Sequence, residues 1–320
     1  MHAAVQFRLV DAFAERSFTG NPAGVVLDAD RLDDRQMQLI AREVNASETS
    51  FISGSNDIHR PMRLRWFTPA AEVGFCGHAT LAAAHAWAEM VGVRALLGKA
   101  EPKIEFETAA GLLTITPEII SSEEDRLVWW LSMPDPKLTP DNTNPMKLTA
   151  ALGLTMDDLD ESIPIMRTRD DDVILLIKTW RSLVELKPNL QELKRLSEKF
   201  RIRGVLGSTL ETLDDFVHVV SRFFAPAVGI NEDPVTGSVH GPLAVLLAVN
   251  ELVPMTRDKA ALNCLQGPPG GRTGVVRALV RSTPQGYRVS VGGITHTTVR
   301  GEMLVPPAPT ELNLPPSRLR

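Results

Sequence analysis

The chain has 320 residues, 43% of them hydrophobic, and a formal net charge of −5 at pH 7. This length predicts about two domains, and the hydrophobic fraction is enough for a sizeable buried core. No basic stretch stands out, so the sequence gives little support to a nucleic-acid partner. The longest apolar run, Leu243 to Val249, is far too short to span a bilayer, and the first residues lack the pattern of a secretory signal. We therefore expect a cytoplasmic protein with no membrane partner.

The number of cysteines and the absence of known binding motifs in the sequence limit which cofactors and metal sites are expected. The two cysteines, Cys76 and Cys264, are too few for a disulfide framework, so we expect reduced thiols. No Cys/His cluster has the sequence spacing of metal ligands, and no glycine-rich nucleotide-binding motif stands at a strand-to-helix turn. The sequence therefore predicts no metal and no cofactor.

In chain order, hydrophobic periodicity predicts strands and amphipathic helices along the whole sequence. The predicted strands cover 5–13, 47–52, 62–67, 103–108, 112–116, 173–178, 216–224, 273–280, 287–291 and 295–300. Two amphipathic helices are predicted at 33–45 and 189–200, with Asp33 and Asn189 as their N-caps. The loop at 134–145 is rich in Pro, Asp and Asn and is expected to link two halves.

The two halves of the chain repeat one motif. The segment RWFTPA, which begins at Arg65, returns as RFFAPA at Arg222, and 222 − 65 gives an offset of 157 residues. In each half a predicted strand precedes the motif, and a glycine that opens a long apolar helix follows it, at Gly77 and at Gly237. A helix that is apolar on nearly all sides belongs in the interior of a protein. We therefore predict two α/β halves, each a curved sheet around a buried helix.

The repeated helix starts suggest an anion site. Backbone N–H groups and a partial positive charge are presented at a helix N-terminus, and glycine lets a ligand approach closely. Two related halves can direct the starts at Gly77 and Gly237 into one cleft that binds a carboxylate. The alternative is that each glycine only permits the turn into its helix.

Polar side chains surround both helix starts. His78, in the first turn, is suited to act as a neutral imidazole that donates one hydrogen bond and accepts another, or is a purely structural histidine. Asp233 can orient a proton donor or cap a turn before Pro234. Thr236 and Ser238 can bind a substrate or cap the second helix.

Two further residues have competing interpretations. Glu48 begins a predicted strand and, judged alone, fits an exposed strand glutamate better than a catalytic group. Cys76 precedes Gly77 and fits either a reactive thiolate near a helix start or a small buried side chain. Cys264 does not mirror it in the second half.

The motifs taken together resemble the phenazine-biosynthesis-F-like (PhzF-like) family. The matching segments are VDAF at 10–13, FTGNPAGV at 18–25, AREVNASET at 41–49, RWFTP at 65–69, FCGHAT at 75–80, EDPVTGS at 232–238, QG at 266–267 and GEM at 301–303. The resemblance implies an α+β fold like that of diaminopimelate epimerase, with two pseudo-symmetric halves, each a barrel-like, mainly antiparallel sheet around a central helix. We expect residues 1–133, completed from about 298 onward, to form one half and residues 134–297 the other.

The resemblance also implies a function and a site. Glu48 would move a proton between carbons of a small carboxylated metabolite, with His78, Asp233 and Ser238 as partners and no cofactor. The backbone at Gly77 and Gly237 would hold the substrate carboxylate, and the substrate-binding set would include Asn21, Ser47 and Thr236. A homodimer is expected on the same ground.

One departure bears on the mechanism. Related epimerases and racemases use two opposed cysteines, whereas this sequence has Cys76 at the first position and Asp233-Pro234 at the second. The leading hypothesis is therefore a proton-moving isomerase. The alternatives are an epimerase or racemase that uses Cys76, and a catalytically idle binding or scaffold protein with the same fold.

Overall fold

The computed structural model describes residues 3–54, 60–121 and 126–307. The chain divides into two compact units. The N-terminal unit contains Met1–Asp11, Pro22–Ile115 and His296–Arg320, and the C-terminal unit contains Ala12–Asn21 and Thr116–Thr295. The sequence predicts boundaries between the two halves at 133 and at about 298, whereas the two compact units meet at 115 and 296. The part of the tail after 307 lies outside the described residues.

The described residues of the first part of the chain form seven strands and three helices. The strands are β1 (Ala4–Ala12), β2 (Asn21–Val26), β3 (Glu48–Ser53), β4 (Met62–Phe67), β5 (Glu72–Val73), β6 (Ile104–Thr108) and β7 (Gly111–Ser121). The helices are α1 (Asp34–Val44), α2 (Gly77–Val91) and α3 (Val93–Leu97).

Between residues 126 and 307, where the structure describes the second part, there are ten strands, four α-helices and two short 3₁₀ turns. The strands are β8 (Arg126–Ser132), β9 (Leu138–Pro140), β10 (Met166–Thr168), β11 (Asp172–Leu176), β12 (Gly204–Thr209), β13 (Val219–Ala225), β14 (Ile230–Asp233), β15 (Lys259–Gln266), β16 (Gly274–Thr283) and β17 (Gly286–Leu304). The helices are α4 (Pro145–Leu152), α5 (Trp180–Val184), α6 (Leu190–Phe200) and α7 (Gly237–Val249), and the 3₁₀ turns are Met156–Asp158 and Pro226–Val228.

Both units contain the same strand order. In the N-terminal unit β2 runs parallel to β3, β3 pairs antiparallel with β4, β4 forms a hairpin with β5 and runs parallel to β6, and β6 pairs antiparallel with β7. In the C-terminal unit β11, β12, β13, β14, β15 and β16 make the same succession of pairings. Helix α2 follows the hairpin in the first unit, and α7 follows it in the second. The predicted fold class, α+β with two similar, mainly antiparallel halves, is confirmed.

Each unit has a buried helix, as the apolar sequences predict. Ten of the fifteen residues of α2 and eleven of the thirteen residues of α7 are buried. The amphipathic helices α1 and α6 instead bury one face, and Asp33 and Asn189 cap them as predicted. Among the described residues, the structure contains no helix that is long and apolar enough to cross a membrane.

Two local predictions were wrong. The strands predicted at 287–291 and 295–300 are one continuous strand, β17, because Gly292 and Gly293 allow the backbone of β8 and the ring of Phe13 to approach closely without ending the strand. The loop at 134–145 is not a plain linker, since it contains β9 and the N-cap of α4 at Asn144. Asn and Pro there serve the start of a helix, a role that composition alone does not distinguish from a loop.

The repeated arginine is a structural element of both hairpins. Arg65 of β4 makes a two-point ion pair with Glu72 of β5, at 2.7 Å for both contacts. Arg222 of β13 pairs in the same way with Glu232 of β14, at 2.8 and 2.9 Å. Each guanidinium also lies over the phenylalanine two residues further along its own strand. The repeat therefore fixes the hairpin that precedes each buried helix.

Arg222→Ala should destabilise the protein strongly. Arg222 is buried, and its Nη1 also lies within 3.3 Å of three backbone carbonyls, at Leu183, Val184 and Leu186. Removal of one partner from such a buried pair should lower the free energy of unfolding by about 3 kcal/mol. Urea unfolding measures this change. Arg195→Ala, which removes an exposed pair with Glu192, should leave the free energy of unfolding nearly unchanged. Equal losses in the two variants would contradict the structural role of Arg222.

His240 links α7 to strand β13 inside the C-terminal unit. Its Nδ1 lies 2.7 Å from the carbonyl oxygen of Thr236, which can only accept, so Nδ1 carries the proton. The other ring nitrogen, Nε2, then accepts a hydrogen bond from Ser221 Oγ at 2.9 Å. Complete burial lowers the pKa of His240 to about 4, although the bond to Thr236 opposes this shift. The imidazole is therefore neutral in the folded protein at neutral pH.

The buried imidazole should make stability depend on pH. Between pH 6.5 and about 4 the unfolded chain protonates this histidine and the folded chain does not, so stability falls as the pH falls. The slope attributable to His240 should approach about 1.4 kcal/mol per pH unit. His240→Asn, which retains an amide donor, should remove that slope, as measured by urea unfolding between pH 7 and 4. The exposed His218→Asn serves as the control and should retain the slope.

Candidate active site

Strand β3 and the start of helix α2 bring three predicted site residues together in the N-terminal unit. Side chains two residues apart share one face of a strand, so Glu48 and Ser50 point the same way from β3. Ser50 Oγ donates to the carbonyl oxygen of Ala79 at 2.8 Å, which ties β3 to the first turn of α2. Glu48 therefore faces the helix start, where Cys76 is the N-cap and His78 lies in the first turn.

His78 is the centre of this cluster. Its Nε2 lies 3.1 Å from Ser47 Oγ and 3.3 Å from Glu48 Oε2, and its Nδ1 lies 3.4 Å from Cys76 Sγ. A neutral ring with its proton on Nε2 suits all three contacts, because Nδ1 can then accept from the thiol. The imidazole is held from both sides and is not a solvated surface histidine.

Glu48 has a buried oxygen without a hydrogen bond. Oε2 has no hydrogen-bond partner among the described residues, and its contact with His78 is an ion-pair distance only. The side chain is 14% exposed. A buried carboxylate oxygen normally accepts hydrogen bonds, so an unfilled one is costly unless a ligand or a mobile proton uses it. The sequence interpretation of Glu48 as an exposed strand residue is wrong.

The second predicted carboxylate, Asp233, is held by hydrogen bonds in the C-terminal unit. Asn21 Nδ2 donates to Oδ1 at 3.0 Å, and the Thr236 hydroxyl donates to Oδ2 at 2.5 Å. Asn21 also donates to the carbonyl oxygen of Val235 at 2.9 Å. Both oxygens of Asp233 therefore accept hydrogen bonds, which favours the ionised carboxylate. Asp233 does not cap the helix, and neither does Thr236.

Gln266, for which the sequence predicts no role, completes this network. Its Nε2 donates to the carbonyl oxygen of Asp233 at 2.8 Å and to Thr236 Oγ1 at 3.0 Å, while its Oε1 accepts from the Thr236 N–H. The amide directs the Thr236 hydroxyl proton toward the carboxylate. The only indication of this residue in the sequence is that it belongs to the QG segment at 266–267, one of the segments that resemble the family.

Ser238 is positioned by an arginine that sequence reasoning also missed. Arg203 Nη2 donates to Ser238 Oγ at 3.0 Å, and the same guanidinium makes a two-point pair with the buried carboxylate of Asp172. The arginine lies 35 residues before the serine, directly ahead of β12, so no local motif connects them. Ser238 is thus anchored at the first turn of α7 and does not act as a helix cap.

The two buried helices differ from the other long helices at their N-termini. Helices α1, α4 and α6 begin with a side-chain N-cap, whereas α2 and α7 have none among the described residues. The first N–H groups of α2 and α7 therefore lack a capping acceptor. A Cβ at Gly77 would meet only Phe75, at 4.0 Å, but at Gly237 it would lie 2.7 Å from the ring of Phe13. Space for an incoming anion is thus present at Gly77, and the glycine at 237 is required by packing.

Glu48, Cys76 and His78 also form a set of metal-binding atoms. One oxygen, one sulfur and one ring nitrogen all lie within 4.8 Å of one another. Sequence spacing did not reveal this set because Glu48 comes from a different element, nearly 30 residues before the cysteine and the histidine. The structure thus brings together Ser47, Glu48, Cys76, Gly77 and His78 in one unit, and Asn21, Asp233, Thr236, Gly237 and Ser238 in the other.

Known proteins with similar sequences are named isomerases. A protein from Clostridium acetobutylicum, named an uncharacterised isomerase, is 35% identical over 92% of this chain and 97% of its own length. A protein of the same designation from Pseudomonas aeruginosa is 38% identical over 89% of this chain and 93% of its own. These names support isomerase as the enzyme class.

A solved structure with a similar fold and a family model point to the same group of proteins. The crystal structure of a PhzF-family phenazine biosynthesis protein from Bacillus anthracis matches 95% of this chain and 100% of its own, with a TM-score of 0.83 and 29% identity. The family model of phenazine biosynthesis-like proteins, PhzC-PhzF, matches residues 10–301. The chain therefore belongs to the phenazine biosynthesis-like (PhzF) protein family.

Proposed function

We propose that this isomerase moves a proton between carbon atoms of a small carboxylated substrate by acid–base catalysis, without a cofactor. The observation that carries the proposal is the buried Oε2 of Glu48, which makes no hydrogen bond and lies 3.3 Å from His78 Nε2. A group that takes a proton from carbon needs a lone pair that nothing else occupies. Family membership supports the same assignment.

The two carboxylates suit different roles. Asn21 and Thr236 each donate to one oxygen of Asp233, so its lone pairs are engaged and its negative charge is stabilised. Glu48 retains an unengaged oxygen. We therefore assign Glu48 as the base that takes and returns the proton, and Asp233 as a fixed negative charge that orients a substrate donor group.

The imidazole and the helix starts complete the proposed machinery. With its proton on Nε2, His78 can donate to Ser47 Oγ, and its ring lies 3.3 Å from Glu48 Oε2, where it can help to hold the carboxyl group in line as that group loses and regains the substrate proton. The substrate carboxylate binds to the uncapped N–H groups at Gly77, where the helix charge favours an anion. We further propose that Gly237, Ser238 and the Asp233 network take part in the same reaction.

A second candidate function rests on Cys76. Its sulfur lies 3.4 Å from His78 Nδ1, a contact that can activate a thiol as the base of an epimerase or racemase. No cysteine occupies the corresponding position in the C-terminal unit, where Thr236 is the residue before Gly237 as Cys76 is before Gly77. A two-thiol mechanism is therefore not available to this chain, and an epimerase would need a thiol paired with a carboxylate.

A panel of candidate acids tests the proposal even while the substrate is unidentified. Small unsaturated carboxylic acids are screened for a rise in melting temperature, because a ligand that binds only the folded state stabilises it. The acids that bind are then incubated with the enzyme in deuterium oxide, and deuterium uptake at carbon is followed by NMR. Uptake is expected at the carbons between which the proton moves. Binding without any uptake across the panel would favour the idle scaffold.

Glu48→Gln should retain ligand binding and lose proton transfer. The amide has nearly the same shape but cannot accept the proton, so the exchange rate should fall by about a hundred- to ten-thousandfold. Glu107→Gln, at an exposed glutamate of β6 in the same unit, should leave both unchanged. If the Glu48 variant exchanges at the wild-type rate, Glu48 has no catalytic role. If the variant loses binding and exchange together, Glu48 binds the substrate and does not move its proton.

Gly77→Ala should weaken binding of the carboxylate without unfolding the protein. The new methyl group meets no atom closer than 4.0 Å, so it fits, but it lies beside the N–H groups that we assign to the ligand. We expect the dissociation constant of the acid to rise at least about tenfold, the loss of roughly one charge-assisted hydrogen bond. Titration calorimetry measures it. Gly74→Ala, three residues earlier and in open space, is the matched control; equal affinity in both variants would remove the helix start from the site.

Cys76→Ala should preserve turnover to within about threefold, because the proposed mechanism uses no thiol. Loss of an essential nucleophile or base costs on the order of a thousandfold or more. A fall of that size in deuterium exchange, with the melting temperature retained, would transfer the assignment from the isomerase to the thiol-dependent epimerase.

A further inference from the structure

The cluster of Glu48, Cys76 and His78 offers the donor atoms of a transition-metal site. Among residues 3–54, 60–121 and 126–307 it is the one group of three such side chains whose ligand atoms lie within 4.8 Å of one another. Thiolate sulfur and imidazole nitrogen are the donors that Zn²⁺ prefers, and a carboxylate is a common third ligand. Mg²⁺ and Ca²⁺ prefer oxygen and are poorly matched to a site that contains sulfur.

The distance between the sulfur and nitrogen donors agrees with this chemistry, whereas Glu48, which lies beside the other ring nitrogen, would have to move closer to bind the same ion. Cys76 Sγ and His78 Nδ1 are 3.4 Å apart. A zinc ion at about 2.3 Å from sulfur and about 2.1 Å from nitrogen would subtend roughly 100° between them, close to the tetrahedral angle. Glu48 Oε2, the third donor, is buried and makes no hydrogen bond, so coordination to a metal would supply the interaction that it lacks.

We propose that Glu48, Cys76 and His78 form a Zn²⁺-binding site with three protein ligands and one open position. On binding, the thiol releases its proton to solvent and a sulfur–zinc bond forms, while His78 contributes a ring-nitrogen lone pair and Glu48 a carboxylate oxygen. Binding does not depend on the reaction that the protein catalyses. Inhibition by Zn²⁺ does rest on the proposed function, since the metal would occupy the lone pair of the base.

The other cysteine is unsuited to this role and provides a control. Cys264 is fully buried, and burial raises the pKa of its thiol to about 12. It belongs to no group of three donor side chains within the part of the chain that the structure describes. Any thiolate-to-metal signal from the folded protein should therefore come from Cys76.

The test uses the full chain, freed of metal with a chelator and then dialysed. Zn²⁺ is titrated by calorimetry in two buffers with different heats of ionisation, which gives both the stoichiometry and the protons released. Co²⁺ is added separately as a spectroscopic substitute. We expect one equivalent of Zn²⁺, release of about one proton, and thiolate-to-Co²⁺ charge-transfer absorption in the near ultraviolet.

Three variants locate the site. Cys76→Ala should lose the charge-transfer band and the proton release and weaken Zn²⁺ binding at least about tenfold, the least that loss of a ligand should cost. Glu48→Gln should weaken binding by a similar factor but retain the band, and it keeps the test decisive if the cysteine variant fails to fold. Cys264→Ala should bind as the wild type does. Absence of stoichiometric Zn²⁺ binding, or a charge-transfer band that persists in Cys76→Ala, would overturn the proposal.

Discussion

The constraint on which this structure depends is that each unit buries a helix whose first N–H groups have no side-chain cap. A buried donor without an acceptor is costly, and the helices α1, α4 and α6 avoid this with Asp33, Asn144 and Asn189. Helices α2 and α7 begin at glycines instead. An anionic ligand is an acceptor suited to such a helix start, and this is one ground for the carboxylated substrate that we propose.

The duplicated units share a scaffold and differ in their polar groups. The paired arginine and glutamate of each hairpin, Arg65 with Glu72 and Arg222 with Glu232, have the same two-point geometry in both units. Around the helix starts the two units have different polar side chains. The first unit leaves a carboxylate oxygen of Glu48 unengaged, and the second engages both oxygens of its aspartate. One scaffold thus supplies a group suited to move a proton and a group suited to hold a charge.

The sequence predicted the features that depend on local pattern. Strand β4, the caps at Asp33 and Asn189 and the starts of α2 and α7 follow from periodicity, capping chemistry and the internal repeat. It did not predict the roles of Gln266 and Arg203, because their partners lie about 30 residues away and are reached only through strand pairing. Nor did it predict that Glu48 Oε2 is buried, since the first residue of an isolated strand pattern reads as exposed. These misses share one cause, which is that tertiary neighbours set the chemistry of a polar side chain.

The contacts around His78 bear on the proposal that Glu48 acts as a single base. The ring contacts a carboxylate through one nitrogen and a thiol through the other, so only one of them can receive a hydrogen bond from a neutral imidazole. With the proton on Nε2, the ring can donate to Ser47 Oγ on the side that faces Glu48, and the Cys76 thiol can donate to Nδ1. The opposite tautomer would favour the thiolate but would place a lone pair of Nε2 against the buried carboxylate, an unfavourable contact. The carboxylate thus favours the tautomer with the proton on Nε2, and this tautomer is the one that the proposed role of Glu48 as the base requires.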